Sequence, residues 1–465
     1  MDEASLSELA RMSGGALRGP AGGGSVAVHR VTIDSREAGP GDLFVALRGE
    51  RFDGHDFVAQ ALARGASAAM VSKGAAATGA PLAPMIFVDD TLTGLQTLAR
   101  EYRGSRPVRT VAVAGSNGKT GTKEMVAAVL GMKYAVLKNR GNLNNHIGVP
   151  LSLLHLERRH ELGVFEVGTN HPGELIPLLQ MVRPMAGVIT VIGEEHLEFF
   201  RDLEGVAQEE GTLAEILPTE GLLVLNADDP WSPAIAKRCR ARIATFGFSR
   251  SADFRGLAIE VNAEGTRFKA ACPGSERDIN LQLLGRHQVA NALAALAIGD
   301  FFSVDPEEAV SALEAVSPGR MRMERKVTPG GVLLVNDAYN ANPSSVRAAL
   351  HAMAEVSITG RRFAVLGEMR ELGEAAGEAH RAVGRFAAER RFDFLLVVGE
   401  GAEGIAEGAR EAGMPLPHIE RCAGPSEAAA FLAANARHGD AVLLKASRGV
   451  ALERVEAEWL KTSEK

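Results

Sequence analysis

A chain of 465 residues, 46% hydrophobic and 23% charged, is too long for one ordinary core and predicts about three globular domains. Its net charge of -7 excludes a global basic field that gathers nucleic acid, so an anionic ligand must be held by local cations and backbone amides. The cysteines Cys239, Cys272 and Cys422 lack metal-ligand spacing and fit free thiols in a reducing cytosol. With no leader-like segment and no bilayer-length apolar run, a cytoplasmic protein without membrane insertion is expected.

The first predicted domain covers 1–107. A short helical pattern opens it and gives way to a Gly/Ala-rich loop ending at 24. Alternation over 26–33 predicts one strand. Asp34-Ser35-Arg36 and the turn Gly39-Pro40-Gly41-Asp42 lead to a strand over 43–47, which ends near Arg48. A helix over 57–64, strands over 66–71 and 85–88, and a helix over 91–102 precede the linker Gly104-Ser105-Arg106-Pro107. Ser35, Arg36 and Arg48 lie at strand ends, where a loop-built polar site would sit. On residue types alone, caps and solvated turns account for them better.

The second predicted domain, 108–325, opens on the strongest signal in the chain. The apolar run Val111-Ala112-Val113-Ala114 predicts a buried parallel strand, and 123–130 predicts a helix. Between them stands Gly115-Ser116-Asn117-Gly118-Lys119-Thr120, followed by Gly121. Turn amides and the positive end of a helix dipole make an anion site there. Lys119 can reach terminal phosphates, and the Thr120 hydroxyl can ligate magnesium. The standard phosphate loop wants glycine where Val113 stands. A plain glycine turn would need neither Lys119 nor Thr120.

The Asn-rich segment 139–150, with Asn142, Asn145 and His146, predicts a loop of specific conformation beside that site. A strand over 162–167 carries one carboxylate, Glu166, which is costly to bury unless a metal or cation pairs with it. Magnesium is one partner; a cap or a salt bridge is the other. A buried strand over 187–192 ends at Gly193-Glu194-Glu195-His196. A strand C-terminus is where open α/β sheets place ligands. One helix is predicted over 205–217, with Glu209 and Glu210 on its first turns; a solvated face is the alternative for that pair. A strand follows over 222–225, then edge structure with hairpins to 283. An Ala-rich helix continues from 285 to about 302, and Asn291 within it needs a partner, either a nucleobase edge or a backbone carbonyl.

The third predicted domain, 326–465, alternates strands (331–336, 362–366, 394–398, 441–444) with helices (344–355, 375–389, 402–412). That pattern predicts a second parallel sheet. The loop 367–373 leaves a strand C-terminus on the ligand edge.

These residues together resemble the Mur ligase family over nearly the whole chain. The carrying stretches are 34–55, 115–120, 141–150, 166–174, His196-Leu197-Glu198 and 226–229. Arg322-Met323-Glu324, Tyr339-Asn340-Ala341-Asn342-Pro343, 366–373 and 445–453 point to the member that adds a dipeptide. The Asp-Asn-Pro-Arg motif of the sister enzyme that adds the third peptide residue is absent. The resemblance implies an α/β chain of three domains: a UDP-substrate domain, a central ATP domain of phosphate-loop type, and a Rossmann-like C-terminal domain that brings the dipeptide and closes on ATP. It implies ligation of D-alanyl-D-alanine to UDP-N-acetylmuramoyl-tripeptide through an acyl phosphate, by a monomer using ATP and Mg2+.

Carried onto this sequence, Lys119 stabilises the transferring phosphate within the cradle Gly115 to Gly121. Thr120 and Glu166 hold the first Mg2+, and His196 helps hold a second. Asn291 contacts adenine, Arg322 the phosphates and Asp337 the ribose. Ser35, Arg36, Asn142, Asn145 and His146 face the UDP-linked substrate. Two departures stand out. The family's paired aspartates are Asn336-Asp337 here. Glu210 stands where many relatives have a lysine that takes up carbon dioxide as a carbamate; the expectation is that Glu210 supplies that carboxylate directly. A folylpolyglutamate synthetase is opposed by the 339–343 and 366–373 motifs, and a nucleotide switch leaves the 34–55 stretch unexplained.

Overall fold

The computed structural model describes residues 1–75 and 83–463. Its organisation follows from three large sheets, with a small two-stranded sheet pairing Ala4–Ser5 with Ala27–Val28. A five-stranded sheet runs in the order Ala16–Arg18, Met85–Val88, Ala68–Ser72, Asp42–Val45, Arg30–Thr32. A nine-stranded sheet holds every strand from Arg109–Ala114 to Ser275–Leu281, and a six-stranded sheet holds those from Glu324–Val327 to Ala441–Lys445. Position 107 lies between strands of the five- and nine-stranded sheets, whereas 325 lies within Glu324–Val327 of the six-stranded sheet.

In the nine-stranded sheet, Arg109–Ala114 lies between Leu162–Glu166 and Ala186–Ile189, parallel to both. The chain moves to one side of Arg109–Ala114 for the next two strands, Val136–Lys138 and Leu162–Glu166, and to the other side for Ala186–Ile189. Such a reversal opens a crevice at the carboxyl ends of the strands. All residues of Leu162–Glu166 are buried, as expected for a parallel strand covered on both faces. The antiparallel hairpins Phe254–Asn262, Gly265–Cys272 and Ser275–Leu281 close the sheet's far edge, as the sequence predicts.

In the six-stranded sheet, Leu333–Asn336 and Ala441–Lys445 are parallel neighbours with Asn336 opposite Leu444. That register puts Asp337 and Lys445 together at their carboxyl ends.

Several expectations are corrected. The stretch 26–33 is two strands, Ala27–Val28 and Arg30–Thr32, in different sheets. They part at His29, whose amide donates to the Gly41 carbonyl at 2.9 Å instead of continuing a ladder. The helix expected over 205–217 is Leu203–Glu210 and Thr212–Ile216, broken at Gly211. Glu209 and Glu210 thus sit on a last turn, and both are buried rather than on a solvated face. The helix Thr91–Gly104 belongs to two domains at once: Leu95 and Leu98 share one core with Leu153 and Leu178 of the central domain. Tyr102 Oη donates to the Leu156 carbonyl at 2.6 Å, and Arg103 Nε to that of Val182 at 3.2 Å.

Candidate active site

The phosphate loop is built by backbone that glycine alone accepts easily. Gly115 and Gly118 have φ of 110° and 84°, and a Cβ at Gly115 would stand 2.3 Å from Thr190 Oγ1. The helix Lys119–Gly131 starts directly after Gly118, so its first amides face the crevice. Asn291, on the helix Arg286–Phe301, packs against this loop; a Cβ at Gly118 would meet its Oδ1 at 2.8 Å. Its amide accepts from Thr122 Oγ1 at 3.1 Å and donates to Gln288 Oε1 at 3.1 Å. Its partners are side chains, not the backbone carbonyl weighed from the sequence.

The Thr120 hydroxyl donates to Glu166 Oε2 at 2.7 Å. Asn144 Nδ2 donates to the other oxygen, Oε1, at 2.7 Å. Lys119 Nζ is bonded to the Gly115 carbonyl and lies 3.3 Å from both the Ser116 carbonyl and Glu195 Oε2. Burial alone would lower its pKa, but Glu195, Glu210 and Glu166 together raise it. Glu210 Oε2 accepts from the Gly115 amide at 2.7 Å, whereas Oε1 is buried with no hydrogen-bond partner. Burial pushes this carboxyl up to about 8, with nearby Lys119 pulling the other way.

The third domain faces the loop across a cleft of about 910 Å³. Asp337 Oδ2 pairs with Lys445 Nζ at 2.5 Å, and Oδ1 accepts from the Met323 amide at 3.0 Å. The Arg322 guanidinium stacks 3.9 Å from the centre of the Tyr339 ring. Asn342 Nδ2 donates to Asn117 Oδ1 at 3.0 Å, and Asn117 Nδ2 to Ser344 Oγ at 2.7 Å. Arg347 pairs with Glu194 at 2.7 Å, and His196 Nδ1 lies 2.6 Å from Glu371 Oε2. His287 also lines the cleft, and burial holds its pKa down at about 4.

Of the residues singled out from the sequence, Thr120, Glu166, Lys119, Asn142, Asn145, Asn291, Arg322 and Asp337 line this one cleft. Thr120 and Glu166, expected to hold a first Mg2+, are hydrogen-bonded side by side; His196, expected to help hold a second, also lines the cleft, and Glu210 does not. Among the described residues no group of three or more His, Cys, Asp or Glu converges as a metal cage would. His196 turns to Glu371, and Glu210 to the Gly115 amide. His146 is not a lining residue; its carbonyl accepts from Gln96 Nε2 at 2.9 Å. Asn145 Oδ1 caps the Ile147 and Gly148 amides at 3.2 and 2.9 Å. Ser35 and Arg36 lie away from the cleft lining. Ser35 donates to Gln60 at 2.8 Å, and Arg36 pairs with Asp34 at 2.6 Å. The sequence reading gave no role to Glu195, Asn144 or Lys445. The first stood in a flagged acidic run and the last in a family-like stretch, so only the side-chain directions were missing.

The chain matches the models for the Mur ligase family catalytic domain at 27–103, the Mur ligase middle domain at 113–299, and the Mur ligase glutamate ligase domain at 319–448. It is 36% identical to the UDP-N-acetylmuramoyl-tripeptide–D-alanyl-D-alanine ligase of Bacillus subtilis, over 99% of each chain. A crystal structure of MurF from Acinetobacter baumannii superposes with a TM-score of 0.89 at 29% identity, covering 99% of each chain. That of MurF from Thermotoga maritima in complex with ADP gives 0.83 at 29% identity, covering 94% of this chain and 98% of that one. On its fold, its phosphate loop and these likenesses along its whole length, the chain belongs to the Mur ligase family.

Proposed function

We propose that this chain joins D-alanyl-D-alanine to UDP-N-acetylmuramoyl-tripeptide, consuming ATP. The carrying observation is the cleft in which the phosphate loop faces Arg322, Asp337 and Lys445 of the third domain. A terminal carboxylate of the tripeptide attacks the γ-phosphorus of ATP, giving an acyl phosphate and ADP. The dipeptide amine then attacks the acyl carbon, phosphate leaves, and the amine's proton is lost to solvent or phosphate. Such a reaction needs alignment and charge neutralisation more than a protein nucleophile.

The loop amides from Asn117 to Gly121 hold the phosphates, those of Gly115 and Ser116 being taken by Glu210 and the Val191 carbonyl, and Lys119 leaves Glu195 to meet them. Asn291 is placed against adenine, Asp337 against the ribose and Arg322 against phosphate. Asn142 and Asn145 form the wall facing the tripeptide. The first domain, with Ser35 and Arg36, holds the UDP end, and the third brings the dipeptide.

Thr120 and Glu166 suit Mg2+: both present hard oxygens, adjacent and at the mouth of the phosphate loop. The lack of a protein cage agrees with a cation held by one or two carboxylates plus substrate phosphates. When bound, Mg2+ offsets charge on the phosphate oxygens. Glu210 keeps one buried oxygen without a hydrogen-bond partner; burial alone keeps its carboxyl protonated through neutral pH, and a bound Mg2+ would favour the ionised form that replaces a carbamate. His196 can keep its proposed metal role with Nδ1 held by Glu371, because the other ring nitrogen, Nε2, would ligate. Among the described residues no helix is long and apolar enough to cross a membrane. We place the reaction in the cytoplasm.

Phosphate release with ATP and Mg2+, run with both substrates and with each omitted, tests the assignment. Release needing both, with a pentapeptide product by mass, is expected. Release indifferent to the dipeptide overturns it. Glu210→Gln with full activity and unchanged Mg2+ affinity, read calorimetrically with ADP, removes Glu210 from the metal role; added bicarbonate is expected to have no effect on the parent enzyme.

A further inference from the structure

A lysine with no assigned role lies one helical turn beyond Lys119. Lys123 is fully buried on the helix Lys119–Gly131. A fully buried lysine is uncommon, because taking an ammonium out of water is costly unless each N–H finds an acceptor. Here each does. Nζ donates to the Asn139 carbonyl at 2.9 Å and the Gly141 carbonyl at 2.8 Å, and lies 3.1 Å from Glu124 Oε1. Glu166 Oε2 is 3.9 Å away, beyond hydrogen-bond reach but within the field of the charge.

The two carbonyls belong to the start of the Asn-rich loop. Buried Asn139 continues the tie. Its Nδ2 donates to the Leu143 carbonyl at 2.9 Å and the Glu166 carbonyl at 3.1 Å, and its Oδ1 accepts from the Glu166 amide at 3.0 Å. Asn144, further along, holds the Glu166 carboxylate. Asn142, between these anchors, is exposed on the cleft wall. One ammonium thus fixes the phosphate-loop helix, the base of this loop and the end of the strand bearing Glu166 relative to one another.

We propose that Lys123 is a positioning residue that sets the Asn142-bearing loop against the phosphate site, and so governs productive binding of the tripeptide substrate. The inference rests on reading that loop as the tripeptide-facing wall. Lys123 touches neither substrate; it acts through the loop. The charge matters as well as the donors, because two carbonyls of one loop and the carboxylates of Glu124 and Glu166 surround one nitrogen.

The test is steady-state kinetics on Lys123→Met, Lys123→Gln and Asn142→Ala, with thermal melts of each. Lys123→Met is expected to raise the tripeptide KM by about tenfold or more while the ATP KM stays within about twofold. Lys123→Gln keeps two N–H donors and loses the charge, so an intermediate rise of about threefold is expected. A folded Lys123→Met enzyme with an unchanged tripeptide KM overturns the proposal, as does a fall in kcat with both KM values unchanged, which marks a purely structural lysine. If Lys123→Met does not fold, Lys123→Gln decides by the same split. Asn142→Ala separates the premises. No rise in its tripeptide KM removes the loop reading and the inference with it; a rise there without one in the lysine variants removes the inference alone.

Discussion

At the scale of single residues, the site is dominated by carboxylates crowded around one cation. Lys119 faces Glu195 at 3.3 Å, and both side chains are largely buried. An incoming phosphate must take the ammonium from Glu195 and then lie beside that anion. Glu195→Gln is therefore expected to tighten ADP binding by about threefold to tenfold, on the scale of a single close charge pair in a partly buried site. Titration calorimetry checks this, and weaker binding would mean that Glu195 serves the nucleotide. Glu210 carries a pH signature. Its carboxyl sits near 8 in the folded chain against an ordinary value of 4.5, because burial opposes ionisation. Between those values the folded protein holds a proton that the unfolded chain has lost. Stability from this group is complete below about 4.5 and drains away as pH rises to about 8, by at most about 1.4 kcal/mol per pH unit. Glu210→Gln abolishes the titration, so its melting temperature is expected to fall less between pH 5.5 and 8.5 than the parent's. Equal falls would show that Glu210 does not titrate there. Thr120, Lys119 and Glu166 were legible from the sequence because their chemistry and strand-end positions are local. Glu195 was not: Glu194 and Glu195 are adjacent identical letters, and only the fold turns one toward Arg347 and the other toward Lys119.

At the scale of elements, the stretch Tyr339-Asn340-Ala341-Asn342-Pro343 shows how a motif divides its labour. Pro343 opens the helix Pro343–Glu355 at the position where its missing N–H costs nothing. Asn342 is the N-cap, accepting from the Ser345 amide at 2.8 Å in a reciprocal capping box, while its own amide group reaches Asn117 in the phosphate loop. Asn342→Ala is expected to cost about 1 kcal/mol of stability. Asn342→Ser restores the cap but cannot donate from an amide to Asn117. If the reach to the loop matters, the serine variant melts like the parent yet keeps the lowered kcat of the alanine variant. A serine variant with full activity would confine Asn342 to capping. Helices and strands of this kind were legible from period and punctuation. The misses are breaks imposed from outside: the 26–33 strand is cut because His29 bonds to Gly41, and the 205–217 helix ends at Gly211, where a Cβ would stand 2.7 Å from the Ala207 carbonyl and 2.1 Å from Arg238. No local pattern carries such information.

At the scale of the molecule, alternating strands and helices made the separate sheets legible, whereas the joints between them were not. A helix such as Thr91–Gly104 can be placed by its apolar stripe, but its sequence does not say that two domains share it. The central and third domains meet through polar pairs, Asn117 with Asn342 and Ser344, Glu194 with Arg347 and His196 with Glu371, and through Leu284, which with Val261 and Ala263 packs into the third domain's core. Exposed or half-exposed pairs of this sort contribute on the order of 0–1 kcal/mol each, so the polar pairs add little to closure beyond the apolar contact at Leu284. A nucleotide that touches both Asn291 and Asp337 adds a ligand-dependent term, about 2.7 kcal/mol at a hundredfold excess over its Kd, and only the closed arrangement collects it in full. Calorimetric melts are therefore expected to show ADP and Mg2+ raising the transition of the third domain together with that of the central one. Arg347→Ala with Glu371→Ala should separate the two transitions in the absence of nucleotide and leave them coupled at saturating ADP. A central transition that rises alone would mean that the nucleotide binds the phosphate loop without the third domain, and Asp337 and Arg322 would lose their place in its site.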